Sequence, residues 1–166
     1  MLNKITPRLW NFFVALCCAV LLGFAYYSQY VDYLDPCPLC IFQRVVFFCI
    51  AVIALLAAIH NPGRMGQQIY TWLIVASAAT GSLIAGRHIW LQSLPPDQVP
   101  ECGPGLNYML ENFPLAEVLS TVLRGSGSCA EVIWSFLGLS MPMWTMIWYV
   151  GLGLMTLWVM YRPANR

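Results

Sequence analysis

The sequence predicts an all-α membrane protein, a four-transmembrane-helix bundle with both termini in the cytoplasm. Sixty per cent of its 166 residues are hydrophobic and only 9% are charged, whereas a soluble domain carries about a quarter charged residues. Four stretches without Asp, Glu, Lys or Arg are long enough to cross a bilayer, which takes about 20 apolar residues. A chain this apolar does not cover a water-facing surface, so we expect residues 1–166 to form a single membrane domain.

The four spans are predicted at about 9–30, 41–60, 68–93 and 143–161. Each span must be helical, because lipid offers the backbone N–H and C=O groups no other hydrogen-bonding partner. Pro142 suits the first turn of the fourth helix, which places its start near Met143. A cleaved signal peptide is the alternative for the first span. Its apolar run is longer than usual for such a peptide, and no small-x-small cleavage site precedes Asp32.

Basic residues predict the orientation of these helices. They lie before helix one, between helices two and three, and after helix four: Lys4, Arg8, Arg64, Arg162 and Arg166. With four crossings these segments share one side, which the positive-inside rule makes cytoplasmic. The loops at 31–40 and 95–142 are therefore predicted to lie outside, and all seven acidic residues fall in them.

The second outer loop is predicted to contain a short amphipathic helix. Pro95-Pro96 stops helix three, and Pro114 opens a pattern of apolar residues at helical spacing: Leu115, Val118, Leu119, Val122 and Leu123. This stripe predicts either an interfacial helix on the outer membrane surface or a helix packed on the rest of the loop. Both alternatives stay open at this point.

Four of the seven cysteines lie in the outer loops, in two pairs: Cys37 with Cys40, and Cys102 with Cys129. The periplasm permits disulfides, and two pairs on that side are typical of two disulfide bonds. The other three lie inside the spans, where a thiol behaves as a small hydrophobic packing residue: Cys17, Cys18 and Cys49.

Cys37-Pro38-Leu39-Cys40 is a C-x-x-C motif, whose spacing lets two thiols close a small redox-active ring. Zinc is an alternative, since four cysteines are able to bind it. A zinc site usually shows two close pairs, however, whereas Cys102 and Cys129 are 27 positions apart. We therefore expect no metal. Two purely structural disulfides are the other alternative.

The position of the C-x-x-C against helix two favours redox chemistry. Pro38 suits the first helical position, which makes Cys37 the N-cap and puts Cys40 third in the helix. The N–H groups and the positive end of the helix there favour a Cys40 thiolate. Arg44 lies on the same face at i+4, roughly 6 Å deeper. It either snorkels to the interface or, as we predict, stabilises the thiolate and a reduced acceptor.

His88 ends helix three on the same outer side, within Arg87-His88-Ile89-Trp90-Leu91-Gln92. It lies about 9 Å in from Pro95, close in depth to Arg44. A histidine there donates a hydrogen bond or relays a proton, or it belongs to a polar and aromatic interface belt. Cys102 and Cys129 are expected to be exposed in flexible, glycine-containing segments, where a partner's thiolate is able to reach them.

Together these motifs resemble the bacterial disulfide bond formation protein B (DsbB) family over essentially the whole chain. The resemblance rests on Pro36-Cys37-Pro38-Leu39-Cys40 with Arg44, on the Arg87–Gln92 motif, and on Cys102 followed by Gly127-Ser128-Cys129-Ala130-Glu131. Phe136-Leu137-Gly138-Leu139-Ser140-Met141-Pro142 then leads into helix four. No cysteine of the pattern is missing.

The resemblance implies a quinone-dependent thiol oxidase of the bacterial inner membrane. In that family pattern a periplasmic thioredoxin-like dithiol oxidase of the DsbA type attacks a Cys102–Cys129 disulfide at Cys102. Electrons pass to the Cys37–Cys40 pair and then to ubiquinone or menaquinone, which Cys40, Arg44 and His88 would contact. The implied partners are that dithiol oxidase, lipid and quinone, with no nucleic acid.

Three other functions are consistent with parts of this sequence. Vitamin K epoxide reductase-like enzymes also place a C-x-x-C against a quinone, but the loop motifs around Cys102 and Cys129 fit DsbB better. A binding or structural membrane protein would carry two inert disulfides, whereas an enzyme would carry disulfides that exchange. A small transporter would use His88 and Arg44 as coupling residues, yet the sequence shows neither broken helices nor internal symmetry.

Overall fold

A computed structural model of the chain describes residues 6–99, 106–125 and 127–162. Lys4 and Arg166, which entered the orientation argument, lie outside these ranges. The helices and strands are, in chain order, α1 (Pro7–Tyr30), α2 (Pro38–His60), α3 (Arg64–Gln92), a 3₁₀ turn (Pro96–Gln98), α4 (Leu106–Asn112), α5 (Leu115–Arg124), α6 (Gly127–Ala130), β1 (Ser135–Phe136), β2 (Leu139–Ser140) and α7 (Met141–Tyr161).

Four of these helices, α1, α2, α3 and α7, are long and apolar enough to cross a membrane. The predicted four-helix membrane bundle is therefore confirmed, and the cytoplasmic side of its termini stays a prediction. Between 22% and 33% of the residues in the most apolar part of each span are buried. Most of the apolar helix surface thus faces away from the bundle, which suits lipid as the surrounding solvent.

Local sequence signals set the helix ends. The Thr6 hydroxyl caps α1 by accepting a hydrogen bond from the Leu9 N–H at 3.3 Å. α2 begins at Pro38 rather than at residue 41, because proline is pre-organised for the first helical position directly after the capping Cys37. At its other end Asn61 adopts a left-handed conformation with φ 43°, which stops α2 and turns the chain into α3.

The four long helices pack in sequence order. α1 packs mainly on α2, α2 on α3, and α3 on α7, whereas α1 and α7 touch at few places. Gly81 lets α3 and α7 approach closely, since a Cβ there would lie 2.5 Å from the ring of Tyr149. The indole N–H of Trp10 donates to the Thr156 hydroxyl at 3.1 Å and joins α1 to α7 at one end. At the other end the seam between α1 and α7 is open.

We call the other end, where α1 and α3 end and α2 and α7 begin, the cysteine end of the bundle. α5 covers it: Val118 and Val122 are 3% and 2% exposed and pack in one cluster with Cys37, Leu39 and Leu91. The two valines of α5 are therefore packed against the protein, as one of the two alternatives for this helix predicted. Leu115 at its start is 76% exposed.

Arg87 holds the far end of α5 in place. Its guanidinium donates to the backbone carbonyl of Arg124 at 2.6 Å and stacks over the Trp90 ring, 4.1 Å from the ring centroid. A helix ends with carbonyls that have no partner inside the helix, so a guanidinium there satisfies one of them and complements the helix dipole.

Candidate functional site

The C-x-x-C forms the start of α2. Cys37 is the N-cap and Cys40 the third helical residue, as predicted. The two thiol sulfurs lie 3.0 Å apart. The Cys40 N–H donates to the Cys37 sulfur at 3.4 Å. The sequence led us to expect the N–H groups at the helix start to stabilise the Cys40 sulfur, but this one bonds Cys37. The motif is thus held in a conformation in which its two sulfurs touch.

Cys37 faces the interior of the cysteine end and is 8% exposed. Its sulfur lies 3.7 Å from Nε2 of His88 and is hydrogen-bonded to the side chain of Cys129. The bond with Cys129 lowers the pKa of Cys37, but the bond with Cys40 and burial outweigh it and raise that pKa to about 12. Cys37 therefore carries its proton at neutral pH in this arrangement.

Cys129 reaches this position because the chain turns back at Gly125. Gly125 has φ +85°, and a Cβ there would lie 2.2 Å from a methyl carbon of Leu91. Only glycine allows both this backbone conformation and this approach. α6 then lies over the ends of α2 and α3, and Cys129 is 1% exposed. The expectation that Cys129 is exposed is therefore wrong. Cys102 lies outside the described residues.

His88 belongs to a buried polar network that the sequence motifs did not reveal. Its Nδ1 lies 3.3 Å from the side-chain nitrogen of Gln43, and the Gln43 side-chain oxygen lies 2.7 Å from the hydroxyl of Thr145. Tyr149 donates its hydroxyl to the backbone carbonyl of Gln43 at 2.7 Å. The ring of His88 also hydrogen-bonds the backbone of Cys129. The available signal was Gln43 itself, a polar residue beside Arg44 in a span that is apolar over most of its remaining length.

Arg44 is tied to α1. Its guanidinium donates to the Ala25 carbonyl at 3.0 Å, hydrogen-bonds the side chain of Gln29, and lies 5.3 Å from the centroid of the Tyr26 ring. The side chain is half-buried. These contacts hold the guanidinium at the cysteine end of the bundle. A snorkelling side chain would instead reach out to the membrane interface without fixed partners.

A cavity of about 240 Å³ lies beside the C-x-x-C, where the seam between α1 and α7 is open. One wall is α2, with Cys40, Gln43 and Arg44. The opposite wall is aromatic and comes from α7, from β1 and from the residue before β1: Trp134, Phe136, Trp144 and Trp148. His88 is absent from the lining, so the structure places it with Cys37 rather than in this cavity. Flat apolar walls with one cationic corner suit a planar ring.

Comparison with known proteins decides the family. The family model described as disulfide bond formation protein DsbB matches residues 7–159. This chain belongs to the DsbB family. Curated relatives named disulfide bond formation protein B agree with it along nearly their whole length. The protein of Nitrosococcus oceani is 53% identical over 94% of this chain and 93% of its own. That of Chromobacterium violaceum is 48% identical over 96% of both chains.

Membership of the DsbB family confirms the resemblance seen in the sequence. It selects DsbB over the vitamin K epoxide reductase-like alternative. The chain is therefore a multi-pass membrane protein of disulfide bond formation and acts as a disulfide oxidoreductase. Within this DsbB-family chain, the described part of the site brings Cys37, Cys40, Cys129 and His88 together, with Arg44 on the far side of Cys40.

Proposed function

We propose that the chain is a protein-thiol:quinone oxidoreductase. It takes two electrons from a periplasmic thioredoxin-like dithiol oxidase of the DsbA type and passes them through Cys102/Cys129 and Cys37/Cys40 to ubiquinone or menaquinone. One observation carries this proposal: the C-x-x-C lies between a loop cysteine and a ring-sized cavity. Cys37 contacts Cys129 on one side, and Cys40 lines the cavity on the other.

The cavity fits a quinone headgroup in size and chemistry. Its volume of about 240 Å³ lies just below the range of about 300–1,000 Å³ that is usual for drug-sized ligands, which suits a single substituted ring. A second apolar groove of about 730 Å³ between α1 and α7 shares Trp144 and Trp148 with it, which provides a path for an isoprenoid tail. When bound, a quinone supplies a two-electron, two-proton acceptor. Arg44 presents a fixed cation to the same space.

The protein's own steps are thiol–disulfide exchanges. The partner's thiolate attacks Cys102, forms a mixed disulfide and releases Cys129 as a thiolate. The Cys129 sulfur then attacks Cys37, so that a Cys37–Cys129 bond forms, the Cys37–Cys40 bond breaks, and Cys40 leaves as a thiolate facing the cavity. The hydrogen-bond contact between the Cys37 and Cys129 side chains supports this choice of sulfur.

Resolution of these bonds completes one transfer of two electrons. The partner's second thiol attacks its mixed disulfide with Cys102 and leaves fully oxidised. The released Cys102 thiolate attacks Cys129, which re-forms the loop disulfide and frees Cys37. Cys37 and Cys40 are then both reduced, and their oxidation to a disulfide yields two electrons and two protons. His88 Nε2, at 3.7 Å from the Cys37 sulfur, is placed to take the Cys37 proton.

We place the chain in the bacterial inner membrane with the cysteine end facing the periplasm. Arg8, Arg64 and Arg162 lie at the opposite end of the bundle, as the positive-inside rule requires of a cytoplasmic side. An alkaline phosphatase fusion after Arg162 is expected to be inactive, and one inserted in the 31–36 loop active. The reverse pattern would overturn this orientation.

The test of the proposed reaction uses the full chain purified in detergent, a reduced DsbA-type partner and a soluble quinone analogue. Quinone absorbance is followed for the wild type, for Cys40→Ser and Cys129→Ser, and for the matched control Cys49→Ser. Cys49 lies exposed on the outer face of α2, away from the site. We expect partner-dependent quinone reduction in the wild type and control, and none in the other two variants.

Two outcomes would contradict the proposal. Disulfides that resist the reduced partner, with no quinone reduction, would indicate a protein with inert structural disulfides. Thiol oxidation by the wild type without any consumption of quinone would instead indicate a different electron acceptor.

A further inference from the structure

Four potential metal ligands converge at the cysteine end from three separate elements. Cys37 and Cys40 come from the start of α2 and His88 from α3, and their ligand atoms all lie within 4.8 Å of one another. Cys129, from α6, hydrogen-bonds the Cys37 side chain, but its sulfur lies outside this group of mutually close atoms and has to turn toward them to act as a fourth ligand. Three sulfurs and one imidazole nitrogen form a set typical of tetrahedral zinc.

The spacing of the Cys37, Cys40 and His88 ligand atoms is close to what a tetrahedral ion requires. Zinc–sulfur bonds of about 2.3 Å put two sulfur ligands roughly 3.8 Å apart, and a sulfur and an imidazole nitrogen slightly closer. The Cys37 sulfur already lies 3.7 Å from Nε2 of His88. The sulfurs of Cys37 and Cys40 lie 3.0 Å apart and need to separate by about 0.8 Å. A rotation of the Cys40 side chain about its first torsion provides that distance without moving the helix.

The network behind His88 is able to present a lone pair toward the sulfurs. The Thr145 hydroxyl has one hydrogen but lies within reach of two oxygens, at 2.7 Å from the Gln43 side chain and 2.9 Å from the Pro142 carbonyl. When it donates to Pro142, the Gln43 amide turns over, donates to Thr145 and accepts from Nδ1–H of His88. Nε2 then carries the lone pair and points at Cys37, and the ring gives up its hydrogen bond to the Cys129 backbone.

This second arrangement is the one that metal-binding histidines use. Their other ring nitrogen donates to an outer group that fixes the orientation of the ring. Gln43 is 3% exposed and His88 is 2% exposed, so water does not compete for these bonds. The charge is also balanced, because a zinc ion with three thiolates carries one net negative charge and Arg44 interacts electrostatically with Cys40.

We propose that the fully reduced protein binds one thiophilic divalent cation, with Zn²⁺ as the representative ion, through Cys37, Cys40, Cys129 and His88. Binding is a coordination step without electron transfer, in which each ligating thiol gives up its proton to solvent. The ion holds the two sulfurs of the C-x-x-C at roughly 3.8 Å, whereas a disulfide needs about 2.05 Å. The metal-bound form is therefore unable to close the Cys37–Cys40 disulfide, and Zn²⁺ inhibits the chain in its reduced state.

The binding test needs neither the partner nor a quinone, so it is independent of the proposed function. Reduced full-length protein in detergent is titrated with Co²⁺ and then with Zn²⁺. We expect one equivalent of Co²⁺ to give the visible absorption of a tetrahedral site together with thiolate-to-metal charge-transfer absorption. One equivalent of Zn²⁺ should displace it and protect Cys37, Cys40 and Cys129 from alkylation. Cys49→Ser, the lipid-facing control, is expected to bind like the wild type.

The variants identify the ligands. Cys37→Ser and Cys129→Ser each lower the charge-transfer intensity by the share of one thiolate. We expect His88→Asn to weaken Zn²⁺ affinity by about tenfold or more. Loss of a residue that only hydrogen-bonds a metal ligand already costs about that much. Protein oxidised at both pairs should bind no ion. Octahedral Co²⁺ spectra, binding that survives oxidation, or equal affinity in Cys37→Ser and Cys49→Ser would each overturn the proposal.

The effect on turnover rests on the proposed function and is measured separately. Zn²⁺ added to reduced protein is expected to stop quinone reduction, and a chelator should restore it. Turnover in the absence of Zn²⁺, combined with no Co²⁺ or Zn²⁺ binding, would refute the metal site and leave the proposed function standing. Stoichiometric metal binding by a chain that never reduces quinone would refute the proposed function and leave the metal site standing.

Discussion

The two cysteines of the C-x-x-C are three residues apart but face different parts of the molecule. Cys37 is buried against His88 and Cys129, among polar groups from α3 and α6. Cys40 is half-buried and lines an apolar cavity whose far wall is aromatic, with Arg44 one helical turn deeper. One helix start thus separates a side suited to sulfur–sulfur exchange from a side suited to a flat apolar ring.

This difference assigns the two sulfurs different chemistry in the proposed relay. A sulfur that is attacked by another sulfur needs that sulfur in contact and a group nearby to move a proton. A sulfur that meets a quinone needs an open apolar space and a cation. Cys37 has a contacting sulfur and a histidine that is able to move a proton. Cys40 has the apolar space and the cation, and neither cysteine has both sets of neighbours.

The largest expected effect comes from removing either sulfur. We expect quinone reduction to fall to background in both Cys37→Ser and Cys40→Ser. The two variants should differ in the cross-link that oxidation leaves behind: Cys40→Ser accumulates a Cys37–Cys129 disulfide, because these side chains are in contact. Cys37→Ser should accumulate little of the corresponding Cys40–Cys129 bond. Proteolysis under non-reducing conditions, followed by mass spectrometry, measures both.

Equal yields of the two cross-links would remove the distinction between the two sides of the motif. Cys49→Ser in parallel controls for general effects of losing a thiol from α2.

A smaller effect is expected from Arg44→Ala. The variant should fold, because the cation lies at the edge of the cavity rather than in the helix core, but quinone binding should weaken. A hydrogen bond to a charged group contributes about 1.5–3 kcal/mol, which corresponds to a rise of roughly 10- to 150-fold in the KM for quinone. Arg44→Lys should fall in between, because an ammonium does not reproduce the forked contacts to Ala25 and Gln29.

The control for Arg44 is the sulfur exchange itself. The rate at which the partner's electrons reach the Cys37–Cys40 pair without quinone should be unchanged. A slowed exchange with an unaltered KM for quinone would show that Arg44 acts on sulfur exchange at Cys37 rather than on quinone binding beside Cys40.

The smallest effect on turnover is expected from Gly125→Ala, which acts on the Cys129 side alone. Its backbone angles of φ 85° and ψ 160° are open essentially to glycine, and an alanine there costs about 1–3 kcal/mol in strain before any clash with Leu91. We expect Cys129 in reduced protein to be alkylated about tenfold faster or more. Gly138→Ala is the matched control, because its φ is +78° but its added Cβ would meet nothing within 4 Å.

An alkylation rate that rises equally in both glycine variants would show that backbone strain, rather than the contact with Leu91, determines the position of Cys129. Peptide-resolved mass spectrometry of the alkylated protein distinguishes Cys129 from the other thiols.

Sequence patterns predicted the features that depend on neighbours along the chain. The four spans follow from charge-free stretches, and the Cys37 N-cap follows from Pro38, because proline at the first helical position is a local preference. The shared face of Cys40 and Arg44 follows from helical spacing alone. Each of these arguments uses residues no more than a few positions apart or the length of one helix.

The remaining features depend on how helices pack, which local patterns do not encode. Residues from α2, α3 and α7 meet in the Gln43–His88–Thr145 network, and the aromatic wall of the cavity comes from Trp134 onward, about 90 positions from Cys40 in the chain. The buried position of Cys129 follows a turn at Gly125, where the backbone leaves no room for a Cβ beside Leu91. A glycine-containing loop sequence is compatible with both an exposed and a buried cysteine, so its burial was not predictable from composition.

The turn at Gly125 also determines how the proposed relay depends on concentration. Cys129 is held against Cys37 within the same molecule, so the exchange between them is intramolecular. The effective concentration of one sulfur near the other is in the millimolar range or above, as for closely tethered groups. Its rate is then a property of the fold and does not change with the abundance of the partner. Scarcity of the partner lowers only the frequency of the first encounter. Once electrons have entered the second loop, we therefore expect them to reach the cavity equally fast at low and at high concentrations of the partner.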